Sequence, residues 1–181
     1  VKADGTRVRI PDGTAHFLEH KLFEDEDGDV SRHFAKIGAV SNAYTSFEST
    51  AYLFSTSSEV ETAVEAPVKF VQTPYFTNET VKKELGIIGQ EIRMYEDDPN
   101  WRVFFNLIGN LYHNHPIKID IAGTDESIAA ITPQMLYDCY ETYYNPANMA
   151  LVIVGNFDEE KICALLDRVL RTDLQAKPAE K

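Results

Sequence analysis

Basic residues are scarce in this chain. Against 29 Asp and Glu stand only 17 Lys and Arg, a formal net charge of −12 over 181 residues. That balance excludes a protein that grips nucleic-acid phosphates or an anionic membrane by charge. Cysteine is rarer still, with Cys139 and Cys163 alone. Both fall in apolar helical patterns, the first among Leu136, Tyr137 and Tyr140, the second among Ile162, Leu165 and Leu166. The pattern predicts buried free thiols in a reducing compartment, with one disulfide left open. No apolar run approaches 18 residues, so nothing in the sequence predicts a bilayer-crossing helix. A signal-peptide pattern is also missing, although the chain starts at Val1 rather than at a methionine. Repeats and linker-like stretches are absent. With 44% hydrophobic and 25% charged residues, the chain reads as one well-cored globular unit.

Histidine is sparse too, five in all, yet two of them stand four apart in His16-Phe17-Leu18-Glu19-His20. Positions i and i+4 share one face of a helix, so both rings can hold one metal ion. Glu19 lies between them, where its carboxylate can reach a water on the same metal and take its proton. The spacing is that of the inverted zincin motif, H-x-x-E-H. The competing reading is a surface helix with two stray histidines.

The rest of the chain divides at its punctuation. Pro11-Asp12-Gly13 is a turn, with Thr14 as the predicted N-cap of the motif helix. A short helix is predicted over 30–37, ending at Gly38, then two strands over 41–47 and 50–56 that could pair as a hairpin. From Ser58 a helix carries Val60, Val64, Val68 and Val71 on one face, with Pro67 set to kink or break it. Asn78 is the predicted cap of a long helix that stops before Pro99. The next helix, to Tyr112, has Trp101, Phe104, Phe105, Ile108 and Leu111 as its apolar stripe. Residues 113–131 read as loop, 133–144 as helix, 148–154 as an apolar strand, 158–171 as an amphipathic helix and 175–181 as a disordered tail. The acidic runs at 24–27 and 96–98 read as solvated loop or helix end.

A catalytic zinc needs a third protein ligand, and two histidines with a glutamate form a recurrent set. The helix beginning at Asn78 offers Glu84 and Glu91, seven apart and so two turns apart on one face. Glu91 is flanked by apolar Ile88 and Ile92, and a carboxylate so placed needs a partner. Spacing alone leaves both glutamates equally open to solvent exposure.

Taken in order, the blocks Ala15-His16-Phe17-Leu18-Glu19-His20-Lys21-Leu22-Phe23, Gly38-Ala39-Val40-Ser41-Asn42-Ala43-Tyr44-Thr45-Ser46, Thr50-Ala51-Tyr52, Glu84-Leu85-Gly86-Ile87-Ile88-Gly89-Gln90-Glu91-Ile92, His115-Pro116, Gly123-Thr124 and Tyr143-Tyr144-Asn145-Pro146-Ala147-Asn148-Met149 resemble the pitrilysin/insulinase family of zinc peptidases, to which the mitochondrial processing peptidases are related. The stretch from Gln90 to Pro99 most resembles an intracellular, Gram-positive bacterial branch, which implies a cytoplasmic location. The resemblance implies Zn2+ held by His16, His20 and Glu91, with Glu19 as general base. Glu84 matches a second acidic residue that supports the site by hydrogen-bonding a ligand histidine. Asn42, Ala43 and Thr45 match an edge strand that receives the substrate as an added strand. His33, His113 and His115 are left as structural or exposed.

The fold so implied is α+β, one largely antiparallel sheet with helices mainly on one face. The activity implied is metal-assisted endopeptidase hydrolysis of extended or unfolded peptides. Family members enclose a chamber with a second homologous domain or subunit, which supplies an Arg and a Tyr for substrate and oxyanion; no block here matches those. Residues 1–172 are expected to be the N-terminal peptidase domain, short of its first strands, and 173–181 a tail or linker toward that second domain. The isolated chain is therefore expected to hydrolyse weakly. The alternative is a non-catalytic partner that only completes a peptidase chamber; a plain metal-binding module is a third reading. Expected partners are a peptide and the second domain, with no nucleic acid and no membrane.

Overall fold

The computed structural model describes residues 8–171. Helix α1 (Thr14–Leu22) leads into a short hairpin of β1 (Glu24–Asp25) and β2 (Gly28–Asp29). Helix α2 (Ser31–Lys36) follows, then a second hairpin of β3 (Val40–Thr45) and β4 (Thr50–Ser55). The remainder is helical: α3 (Val60–Gln72), α4 (Asn78–Asp97), α5 (Pro99–Leu111), α6 (Asp125–Ala129), α7 (Pro133–Tyr143) and α8 (Glu159–Val169). The class is α+β with antiparallel pairing, as the sequence predicts. Among the described residues the strands make two separate two-stranded sheets rather than one. The strand predicted over 148–154 does not form; Val152 is 80% and Val154 92% exposed. A strand needs a neighbour for its backbone groups, and no described strand pairs with this one. The predicted tail at 175–181 lies outside the described residues.

Helix α1 lies at the centre. Seven of its nine residues are buried, and it packs against β3, α4 and α7. Phe17, Leu18 and Leu22 join Phe34, Val81, Ile88, Ile92, Ile128 and Leu136 in the main core. A smaller cluster of Val64, Ile162 and Leu165 lies between α3 and α8. Because α1 is enclosed almost all round, its polar residues His16, Glu19 and Lys21 are buried as well and must find partners.

The start of α1 is fixed by two glycines pressed against each other's loops. Gly13, not Thr14, is the N-cap, with φ of 87°. A Cβ on Gly13 would lie 2.5 Å from the Ala122 carbonyl oxygen, and one on Gly123, at φ 77°, would lie 2.6 Å from that of Asp12. Only glycine fits either place. Thr14 instead turns its hydroxyl back to the Pro11 carbonyl at 2.6 Å.

Other boundaries follow their punctuation with small shifts. Thr77 rather than Asn78 caps α4, in a reciprocal bond pair with Thr80. Asp98 ends α4 and caps α5 through the Asn100 N–H at 2.8 Å, since Pro99 cannot continue a helix. Helix α3 runs unbroken through Pro67. Short helical segments, α6 among them, occupy the stretch read as loop. The apolar stripe of α5 is not buried: none of the helix's residues is, and Phe104 and Leu111 are exposed. Cys139 is buried as expected, but Cys163 is exposed, since α8 turns Ile162 and Leu165 inward instead; both thiols are free. The first acidic run is not simply solvated. Glu24 pairs with the fully buried Lys21 and, at 3.0 Å, with Lys83 of α4.

Candidate metal and catalytic site

Helix α1 and helix α4 pack side by side and bring the motif to the second glutamate pair. His16, His20 and Glu91 converge, each offering one ligand atom within 4.8 Å of the others. Glu91 Oε1 lies 3.6 Å from His16 Nε2, and its Oε2 3.5 Å from His20 Nε2. These are too long for good hydrogen bonds. They suit ligands around a common ion, since bonds of about 2.1 Å in a tetrahedron set ligand atoms about 3.4 Å apart. His16 Nδ1 is buried without a hydrogen-bond partner among the described residues. Glu84, seven residues and two turns back on α4, accepts the His20 Nδ1–H at 3.0 Å, and so turns Nε2 toward Glu91. Two imidazole nitrogens, one carboxylate and an anchored ring match the donor set of a catalytic zinc.

Charge agrees with the geometry. The His16 ring above all, with the Tyr95 hydroxyl and His20, pulls the Glu91 carboxyl down to about 2 against the opposing effect of burial. Burial works against a charged His20, yet the bond to Glu84 and the carboxylates of Glu84, Glu91 and Glu19 prevail and raise its pKa. Tyr95 donates to Glu91 Oε1 at 2.7 Å; burial first, then this bond, pushes the phenol up to about 12.

The group opens into a cleft of about 220 Å3 lined also by Glu19, Ala43, Tyr44, Thr45, Tyr95 and Trp101. Glu19 is 7% exposed, and its Oε2 accepts the Thr45 hydroxyl at 2.5 Å. Strand β3 borders the cleft and pairs only with β4, so its other edge has no strand partner among the described residues. Asn42 lies on this strand outside the cleft lining, its Oδ1 accepting the Ala43 N–H at 2.9 Å. Trp101 stacks on Tyr95, ring centroids 4.5 Å apart, and its indole donates to Asp120 at 2.7 Å.

Residues 9–125 match the family model described as insulinase, peptidase family M16. The chain belongs to this family. A second M16 model, described as the inactive domain, matches residues 130–180; all the site residues lie in the first match. The chain is 61% identical over 155 residues to an uncharacterized zinc protease, YmfH, of Bacillus subtilis, covering 86% of this chain and 36% of that one. An M16-like peptidase from Alicyclobacillus acidocaldarius has the same fold at a TM-score of 0.90 and 47% identity, over 97% of this chain and 41% of that one. Pitrilysin, at 19% identity and a TM-score of 0.74, shares the fold. The chain thus spans about two-fifths of the length of the first two relatives and 21% of pitrilysin.

Within this M16 domain the remaining histidines stay apart from the site. His33 faces Asp25 at 3.8 Å, and His115 Nδ1 accepts the Ile117 N–H. Sequence reasoning missed Tyr95, although its i, i+4 spacing from Glu91 on a helix was a usable signal. It also missed the hydrogen-bonded pair of Tyr52 and Tyr144, 2.6 Å apart, for which no local signal exists.

Proposed function

We propose that this domain is the zinc-dependent endopeptidase half of its protein, acting on extended or unfolded peptides. One observation carries the reading. The His16–His20–Glu91 triangle, the Glu84 anchor on His20 and the buried Glu19 share one cleft beside the open edge of β3. His16, His20 and Glu91 would hold the ion. Zinc, when bound, supplies a Lewis acid that polarises a carbonyl and lowers the pKa of a water. Glu19 would take a proton from the attacking water and return it to the leaving amine. The open edge of β3, at Asn42, Ala43 and Thr45, accepts the peptide as an added strand, its backbone groups supplying register without demanding a sequence. Trp101 and Tyr95 give the cleft an aromatic wall for an apolar side chain.

The experiment is zinc content together with cleavage of an unfolded peptide by the full-length protein. About one zinc per chain is expected. Glu19→Gln should keep that zinc and lose about 10²–10⁴-fold in kcat. A Glu19→Gln protein that holds zinc and cleaves at the wild-type rate would falsify the reading.

A further inference from the structure

The general base is held from outside its own helix. Glu19 projects from α1, yet the hydrogen bond given to its carboxylate comes from Thr45, the last residue of β3 and 26 positions away. At 2.5 Å between oxygens this falls at the short end for a hydroxyl donating to a carboxylate. A threonine hydroxyl has a single hydrogen. Since that hydrogen goes to Glu19, the contact of Thr45 Oγ1 with Thr50 Oγ1 at 3.3 Å requires Thr50 to be the donor. The two threonines face each other in the β3–β4 register, beside the turn closed by Ser46 N–H to the Ser49 carbonyl at 2.8 Å. The order is therefore Thr50 to Thr45 to Glu19. It fixes Oε2, and Oε1 has no hydrogen bond among the described residues.

We propose that Thr45 is the positioning residue of the base: its hydroxyl holds Glu19 in the pose from which Oε1 reaches the attacking water. The inference rests on the reading of Glu19 as general base. It adds that the strand offered to the substrate also sets the orientation of that base, so the two functions of β3 meet in one residue. A glutamate has three side-chain torsions. Buried beside three other ionisable site residues with no donor, it would have several poses and few productive ones.

The test uses the full-length, zinc-loaded protein and an unfolded quenched-fluorescent peptide. Thr45→Val keeps the volume, the β-branch and the backbone edge of the strand while removing the hydroxyl. It should lower kcat about 10–100-fold, the usual cost of losing such a supporting partner, with KM and zinc content unchanged. Thr45→Ser should restore kcat to within a few-fold of wild type. Thr50→Val should cost only a few-fold, and nothing further in the Thr45→Val background. A second readout is independent of turnover. In crystals of the metal-free proteins, the Glu19 carboxylate should leave its pose in Thr45→Val and keep it in Thr45→Ser. Wild-type kcat in Thr45→Val overturns the proposal. So does a serine variant as impaired as the valine one, which would assign the effect to methyl packing. A rise in KM or a loss of zinc in place of the fall in kcat overturns it too. Should Glu19→Gln itself stay active, the general-base reading has failed; a dead Glu19→Gln beside a fully active Thr45→Val marks the failure of this inference alone.

Discussion

Single atoms set the quality of the proposed metal site. His20 has two ring nitrogens, and the bond from Nδ1 to Glu84 leaves Nε2 for the ion. Changing Glu84 to Gln keeps the size but removes the charge that makes the ring a better donor. Zinc affinity of the Glu84→Gln protein, measured by competition with a chromophoric chelator, is expected to fall about 10–100-fold. Unchanged affinity would remove Glu84 from the site. Protons compete for the same nitrogen. Because the pKa of His20 is raised above 6.5, zinc uptake should begin to weaken at a higher pH than an ordinary histidine would dictate, and weaken further as pH falls.

Between elements, the same two helices are tied a second time, by charge. Lys21, fully buried on α1, pairs with Glu24, and Glu24 reaches Lys83 on α4, the neighbour of Glu84. Glu24→Gln leaves the Lys21 ammonium buried without its counter-charge. A loss of about 3 kcal/mol in the stability of the metal-free protein is expected, from the usual cost of breaking a buried pair. Lys21→Met should cost much less, because it removes the buried charge as well. Denaturant unfolding of the two variants checks both. The sign of the pH effect follows. Burial alone would raise the Glu24 carboxyl, but the bonds from Lys21 and Lys83 prevail and lower it. A carboxyl lowered on folding stabilises above its unfolded value of about 4.3, and that contribution is lost as pH falls through the folded value. The acid limb of the stability curve should therefore be shallower in Glu24→Gln.

For the molecule as a whole, length is the dominant fact. The chain spans 36% of its Bacillus subtilis relative. Apolar surface remains open on it: Val103, Leu107 and Leu111 along α5, and Val152 and Val154 beyond α7. Cleavage of a peptide bond needs donors aimed at the oxyanion, and lacking one costs about 10²–10³ in rate. On the reading of a chamber built from two homologous halves, those donors lie in the other half. The 181-residue chain alone should then turn over an unfolded peptide at least about 100-fold more slowly per zinc than the protein carrying the full length of its relatives. Equal turnover per zinc would show that this half suffices.

The sequence by itself determined the motif helix, the hairpin of β3 and β4, and the long helix bearing Glu84 and Glu91, because helical and strand periods and their caps are local. It also supplied the two histidine candidates, since i, i+4 spacing is a property of one helix, whereas Glu91 was marked as the third only by the family resemblance. Tertiary structure alone decided the rest. Glu84 and Glu91 could have faced solvent until α4 packed on α1. Thr45 could have been read only as backbone until β3 folded over Glu19. The mutual contact of Gly13 and Gly123 joins loops more than a hundred residues apart. The apolar run at 148–154 had every local mark of a strand and did not become one, because a strand is made by its neighbour.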